Sequence, residues 1–130
     1  MYILDTNILI YFFKGVGRVS SHLLSVEPEN IGIPSIVIYE LRTGIAKSID
    51  QKKRSEQLIE LCSMVDIIPF GDDEAIYSAE IRADLEKKGT PIGPYDILIA
   101  GTAMAQKAKL VTHNINEFKR INGLEVVDWY

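Results

Sequence analysis

Three carboxylates stand where surface charge has no reason to be. Asp5 interrupts an apolar start after Tyr2-Ile3-Leu4, Glu40 lies among Ile36, Val37, Ile38 and Leu41, and Asp96 opens the almost wholly apolar run from Ile97 to Ala105. Each has a plain structural reading: Asp5 can cap a helix, Glu40 can pair with Arg42 or a surface lysine, and Asp96, two residues after Pro94, can be a first-turn acid favoured by the helix dipole. Together they pose a different problem, because carboxylates gathered at one edge of a fold repel one another unless a cation joins them. Oxygen donors without a matching cysteine or histidine cluster suit Mg2+ or Mn2+, and His22 and His113 lack the spacing of a zinc site. A carboxylate-held Mg2+ acidifies water and neutralises charge in a phosphorane-like transition state, so the natural reaction is phosphodiester hydrolysis, with a second metal able to stabilise the leaving oxygen.

Other chemistries of an acidic edge fit less well. A phosphatase with an aspartyl nucleophile wants a second Asp two residues after the first, where Asn7 stands. A receiver domain wants paired acids near the end of the first strand and a lysine after a late strand, but Asp5 stands alone and Thr112 is followed by His113. Neither a glycine-rich phosphate loop nor a dinucleotide fingerprint is present.

The elements that must position these acids follow from apolar spacing and its punctuation. Tyr2 to Leu4 reads as a buried strand, Asp5-Thr6-Asn7 as a capping turn, and Ile8 to Phe13 as a helix. Ile31 to Ile33 reads as a second strand, and Pro34-Ser35 opens a helix toward Lys47. A helix from Gln51 to Met64 carries Leu58, Leu61 and Cys62 on one face, and Val65 to Phe70 reads as a third strand. Asp72 to Lys88 has acids at its start and lysines at its end, matching the helix dipole, with Gly89 as its stop. A helix from Tyr95 to Ala108, apolar on nearly every face, must be packed on several sides. Leu110 to Thr112 and Leu124 to Val127 complete the strands, with a helical turn through Glu117-Phe118 between them. Short apolar strands alternating with helices predict an α/β fold with a mostly parallel sheet, residues 1–130 forming one domain, and a site at the carboxyl ends of the strands. That topology predicts convergence for Asp5; for Glu40 and Asp96 it only permits it.

Composition sets the outer bounds. The 130 residues are 47% hydrophobic and 25% charged, and 14 Lys and Arg against 18 Asp and Glu give a net charge of -4. A chain of this length can bury roughly two thirds of its unfolded surface without a staple. The lone Cys62 reads as a small buried hydrophobe in a reducing compartment. The acid excess argues against a broad basic face for nucleic acid, so any such function must rest on local chemistry. Lys47, Lys52, Lys53 and Arg54 are the local exception: either a phosphate track or a solvated helix face. No run is long enough to span a bilayer and no cationic leader precedes the first apolar run, so the cytoplasm is the expected location.

Four segments together resemble a known family: Tyr2 to Ile10, Ile38 to Gly44, Gly89 to Gly101, and Val111 to Phe118 with Leu124 to Trp129. In that order and at those separations they resemble PIN-domain ribonucleases of the VapC toxin type, over essentially the whole chain. The resemblance implies a three-layer α/β/α fold and a Mg2+- or Mn2+-dependent endoribonuclease that arrests growth by cutting RNA, often tRNA or rRNA. It also implies inhibition by a cognate VapB-type antitoxin and a homodimer. Asp5, Glu40 and Asp96 match the family's metal-binding acids. The fourth acidic position is Asn114 here, and Glu117, one helical turn later, is its substitute directly or through water. Thr6 and Asn7 are expected to orient Asp5, with Thr112 as a further supporting group.

The mechanism expected from these positions has Mg2+ on Asp5 and Asp96 beside the scissile phosphate, Glu40 positioning or deprotonating the attacking water, and Asn114 and Glu117 in support. Setting aside Asp5, Glu40, Asp96 and Glu117 leaves 14 acids against 14 Lys and Arg, so the acid surplus can be a metal site rather than a barrier to RNA. Two other readings share these residues. In one, the PIN-like domain is not catalytic and only binds RNA or protein, an option the Asn114 departure keeps open; in the other it is a metal-dependent DNA nuclease.

Overall fold

A computed structural model describes all residues, 1–130. Five strands, β1 (Tyr2–Leu4), β2 (Ile31–Pro34), β3 (Asp66–Ile68), β4 (Lys109–Val111) and β5 (Val126–Val127), form one sheet in the order β3-β2-β1-β4-β5. Every pairing is parallel, with Ile3 opposite Gly32 on one side and Leu110 on the other. The helices are α1 (Thr6–Lys14), α2 (Val19–Ser25), α3 (Ser35–Ala46), α4 (Gln51–Cys62), α5 (Asp72–Lys87), α6 (Pro94–Ala105) and α7 (Ile115–Phe118). Right-handed crossovers moving outward from β1 to β3 put α1 to α4 on one face. The reversed direction from β3 to β4 and β5 puts α5 to α7 on the other. The result is the three-layer α/β/α arrangement expected from the sequence.

Ile3, Leu4, Ile33, Leu110 and Val111 have no exposed surface, as central parallel strands covered on both faces require. The apolar middle of α6 is buried through Ile99, Ala100, Gly101, Thr102 and Ala103. Its closest approach is to α5: a Cβ on Gly101 would lie 1.9 Å from the Ser78 hydroxyl oxygen and 2.9 Å from the Ser78 Cα, so the two helices meet where only glycine fits. No helix is long and apolar enough to cross a membrane.

The structure corrects several of the sequence-based expectations, among them the helix expected to Met64, which ends at Cys62, and the strand expected over Leu110 to Thr112, which is Lys109–Val111. Helix α2 was not expected: it spans 7 residues, has no side-chain cap, and buries only Val19 and Leu23, too little for a periodic signal. The strand expected over Val65 to Phe70 is confined to Asp66–Ile68, with Asp66 and Ile67 exposed because β3 is an edge. The last strand contracts from Leu124–Val127 to Val126–Val127, and α6 ends at Ala105, before Lys107 turns to φ 53°. Cys62 is half-buried rather than enclosed. Burial pushes its thiol pKa up, against some lowering by Arg42, which disfavours the reactive thiolate.

The chain leaves β1 toward β2 on one side and returns to β4 on the other. This reversal opens a crevice at the carboxyl ends of β1 and β4, where Asp5 and Thr112 immediately follow their strands.

Candidate functional site: an acidic crevice

Asp5 is fixed by backbone before its side chain acts. Its N–H donates to the Val111 carbonyl at 3.1 Å, extending the β1–β4 ladder by one residue. Its Oδ1 accepts from the Ile8 N–H at 2.9 Å, capping α1. The capping role and the crevice position are therefore not alternatives, because the turn that caps α1 also aims the carboxylate out of the strand end. Asp5 is 4% exposed, and its pKa is pushed up to about 6. Burial is the main cause, joined by the negative charges of Asp96 and Glu40 and opposed by the neighbouring Thr112 hydroxyl and by the hydrogen bond from the Ile8 N–H.

Asp96 lies in the first turn of α6, and its pKa also rises to about 6, first through burial and then through the charges of Glu117 and Glu40. Glu40, half-buried on α3, accepts a 2.7 Å hydrogen bond at Oε1 from the Thr6 hydroxyl. Thus four carboxylates from four different helix starts or faces act on one another: Asp5 with Asp96 and Glu40, and Asp96 with Glu40 and Glu117. None of the four takes part in a salt bridge.

The supporting residues divide in a way that adjacency in sequence does not reveal. Thr6 is bonded to Glu40, 34 positions away, rather than to its neighbour Asp5. Thr112, with no exposed surface, supports Asp5 and also accepts from the Asn114 N–H at 3.0 Å. Asn7 is exposed and Asn114 half-buried; the Asn114 side chain does not cap α7. Of the expected basic track, Lys53 and Arg54 line a cavity of about 390 Å³ that has Glu40 in its wall, together with Lys14 from α1. Lys47 and Lys52 lie outside that lining. Lys14 carries no sequence signal beyond its place at the end of α1. A pair of exposed tyrosines, Tyr39 and Tyr95, was likewise missed, although each directly precedes a crevice acid.

No three Asp, Glu, His or Cys side chains are drawn together closely enough to hold a metal ion as they stand. The donor chemistry nevertheless suits a hard divalent cation: carboxylate oxygens only, that of Asp5 buried, mutually repulsive and in no salt bridge. A proton on Asp5 or Asp96 relieves the repulsion at low pH; a cation relieves it at neutral pH.

Comparison with known proteins gives the family. Residues 2–124 match the PIN domain family. The chain is 34% identical over 128 residues to the tRNA(fMet)-specific endonuclease VapC of Salmonella typhimurium, covering 98% of this chain and 97% of that protein. It is 40% identical over 131 residues to ribonuclease VapC2 of Rickettsia felis, covering 99% and 98%. The crystal structure of VapBC2 from Rickettsia felis bound to a promoter DNA fragment superposes with a TM-score of 0.92 at 39% identity, over 99% of this chain and 98% of that one. The chain thus belongs to the PIN-domain family of metal-dependent nucleases, among the VapC ribonucleases.

Proposed function

We propose that this chain is the toxin of a type II toxin–antitoxin pair, a Mg2+-dependent endoribonuclease in which Mn2+ can substitute, acting in the cytoplasm on tRNA or rRNA to halt translation. The observation that carries the site assignment is the meeting of Asp5 and Asp96, each with its pKa raised to about 6 by burial and by the carboxylates beside it, in a crevice where neither these two nor Glu40 and Glu117 take part in a salt bridge. The tRNA preference is supported by likeness to the tRNA(fMet)-specific endonuclease VapC of Salmonella typhimurium. Asp5 and Asp96 would hold the cation, which would supply Lewis acidity toward a phosphodiester oxygen and toward water. Glu40, held in one rotamer by the Thr6 hydroxyl, positions or deprotonates the attacking water, and Asn114 and Glu117 steady the metal or substrate. Thr112 keeps Asp5 aimed into the crevice, and Lys14, Lys53 and Arg54 steer phosphate along the cavity beside Glu40.

A VapB-type antitoxin is the partner, by likeness to the VapBC and FitAB complexes. It covers apolar surface near the early helices and presents an arginine to the acids. The toxin itself works as a homodimer.

Incubation of the purified chain with total RNA tests the reading. Cleavage is expected in Mg2+ and abolished by EDTA, and induction without antitoxin arrests growth. Asp5→Asn and Asp96→Asn proteins that cut as fast as the parent would overturn the assignment. Faster cutting of single-stranded DNA than of RNA would overturn the substrate class.

A further inference from the structure

We propose that Tyr39 and Tyr95 form a stacking platform for an unpaired nucleobase of the RNA substrate, beside the phosphate that is cut. The proposal rests on the endoribonuclease reading above and assigns that site a means of holding its substrate. Tyr39 lies on α3 directly before Glu40, and Tyr95 lies in the first turn of α6 directly before Asp96. Consecutive side chains on a helix diverge by about 100°, so each ring flanks its carboxylate instead of covering it. Across the two helices the rings meet with centroids 5.6 Å apart and planes tilted by 60°, and their hydroxyls stand 3.3 Å apart. The Tyr95 phenol pKa is raised, chiefly by its hydrogen bond with Tyr39 and also by the charge of Glu40, which ties the pair to the crevice.

What the pair lacks is as informative. Tyr39 is 53% exposed and Tyr95 43%, whereas Tyr2 and Tyr11 are partly buried and pack against the hydrophobic core. Their hydroxyls bond to each other and to no other side chain. Two large rings held together at the lip of an acidic crevice, with open faces, add little to the stability of the fold.

The chemistry of the substrate supplies the reason. A phosphodiester brought to Asp5 and Asp96 carries a nucleoside on each side, and a base from one of them can lie on a tyrosine ring without meeting the carboxylates. Neutral phenols do not repel the backbone as the acids do, and every base offers a π face, so such a platform holds RNA with little sequence preference. A base inside a duplex has both faces occupied, so the platform selects loops and single strands.

The test uses a short single-stranded oligoribonucleotide carrying 2-aminopurine, with binding followed by fluorescence in Ca2+ and cleavage in Mg2+. Tyr39→Ala and Tyr95→Ala are expected to raise KM by about 5- to 100-fold with little change in kcat, and to lose the quenching of 2-aminopurine that the parent produces. Tyr39→Phe and Tyr95→Phe keep the stacking face and are expected to stay within about twofold of the parent. Alanine variants that quench and cleave like the parent overturn the platform. So do phenylalanine variants that fail as badly as alanine, which would assign the hydroxyl pair a positioning role. Alanine variants that weaken only the hold of the antitoxin, with KM for RNA unchanged, overturn it too and assign the tyrosines to protein docking. Absence of cleavage by the parent itself would sink the enzymatic reading, while quenching in Ca2+ still decides the stacking. An unchanged Mn2+-induced rise in Tm in each variant shows that the acids remain in place.

Discussion

Asp5 and Glu74 are the two buried acids of the chain, 4% and 8% exposed, and both serve a helix start. Asp5 accepts from the Ile8 N–H at 2.9 Å, and Glu74 accepts from the Gly71 N–H at 2.8 Å. They differ in what the rest of each carboxylate meets. The second Glu74 oxygen accepts from the Gln106 side-chain amide at 3.4 Å, whereas Asp5 has the charges of Asp96 and Glu40 near it. Burial and capping hold a carboxylate in place at either position. Only the company of other carboxylates leaves a repulsion that a cation is needed to cancel.

The sharpest way to break this contrast is Asp5→Asn. Asparagine caps as well as aspartate, so α1 keeps its start while the crevice loses one charge and one ligand. RNA cleavage is expected to fall by more than about a hundredfold, beyond what loss of a supporting group costs a metal site. Tm in EDTA is expected to hold or rise. A fall in Tm that accounts for the lost activity would make Asp5 a structural acid like Glu74.

The second effect is on pH. Without metal, the pKa of Asp5 in the folded chain is about 6, against 3.8 for an unperturbed Asp. The unfolded chain then releases its proton first as pH climbs. The stability contributed by this group is present below about pH 4 and is lost by about pH 6, by up to about 3 kcal/mol. In EDTA the parent should lose stability relative to Asp5→Asn across that interval, measured as the difference between their denaturation midpoints. A divalent cation competes with the proton, so its stabilisation should be larger at pH 7.5 than at pH 5 and absent from the variant. Equal stabilisation at both pH values would put the cation elsewhere.

How far the sequence reveals this site depends on distance along the chain. Asp5 follows a strand of three residues whose neighbours are fixed by parallel pairing, so its place at the sheet edge is a consequence of local pattern. Glu40 and Asp96 sit on helices whose tilt is set by packing, such as the Gly101 contact with Ser78, and no local pattern encodes that tilt. The same holds for Thr6: its neighbour in sequence is Asp5, but position 6 begins α1 and turns its hydroxyl toward α3. The Tyr39–Tyr95 pair is invisible for the same reason, being 56 residues apart. Helix α2 escapes detection because two buried side chains are too few to set a period.

Thr6→Val tests the crevice side of the contrast more gently. It removes the donor to Glu40 and nearly preserves volume, leaving the carboxylate free to rotate. A hydrogen bond to a charged group contributes about 1.5–3 kcal/mol, so kcat is expected to fall by about tenfold or somewhat more, with little change in KM for RNA. Thr6→Ser keeps the hydroxyl and should restore most of the rate. A loss that appears equally in both variants would mean that the threonine methyl, through packing, matters more than the bond.

The smallest expected effect lies on the Glu74 side and is the one best able to undo the comparison. Glutamine serves the capping box as glutamate does, so Glu74→Gln keeps an acceptor for the Gly71 N–H while removing the charge. Its second polar atom can still face Gln106 if one of the two amides flips, since an amide offers both donor and acceptor. Stability should change by less than about 1 kcal/mol, and cleavage, metal response and pH profile should match the parent. Were Glu74→Gln to lose metal-dependent activity as Asp5→Asn does, burial of an acid at a helix start would be enough to mark a functional carboxylate, and the repulsion among Asp5, Glu40 and Asp96 would no longer distinguish the site. The two variants therefore need to be measured side by side, because the difference between them, and not either alone, separates a metal-holding carboxylate from one that only caps a helix.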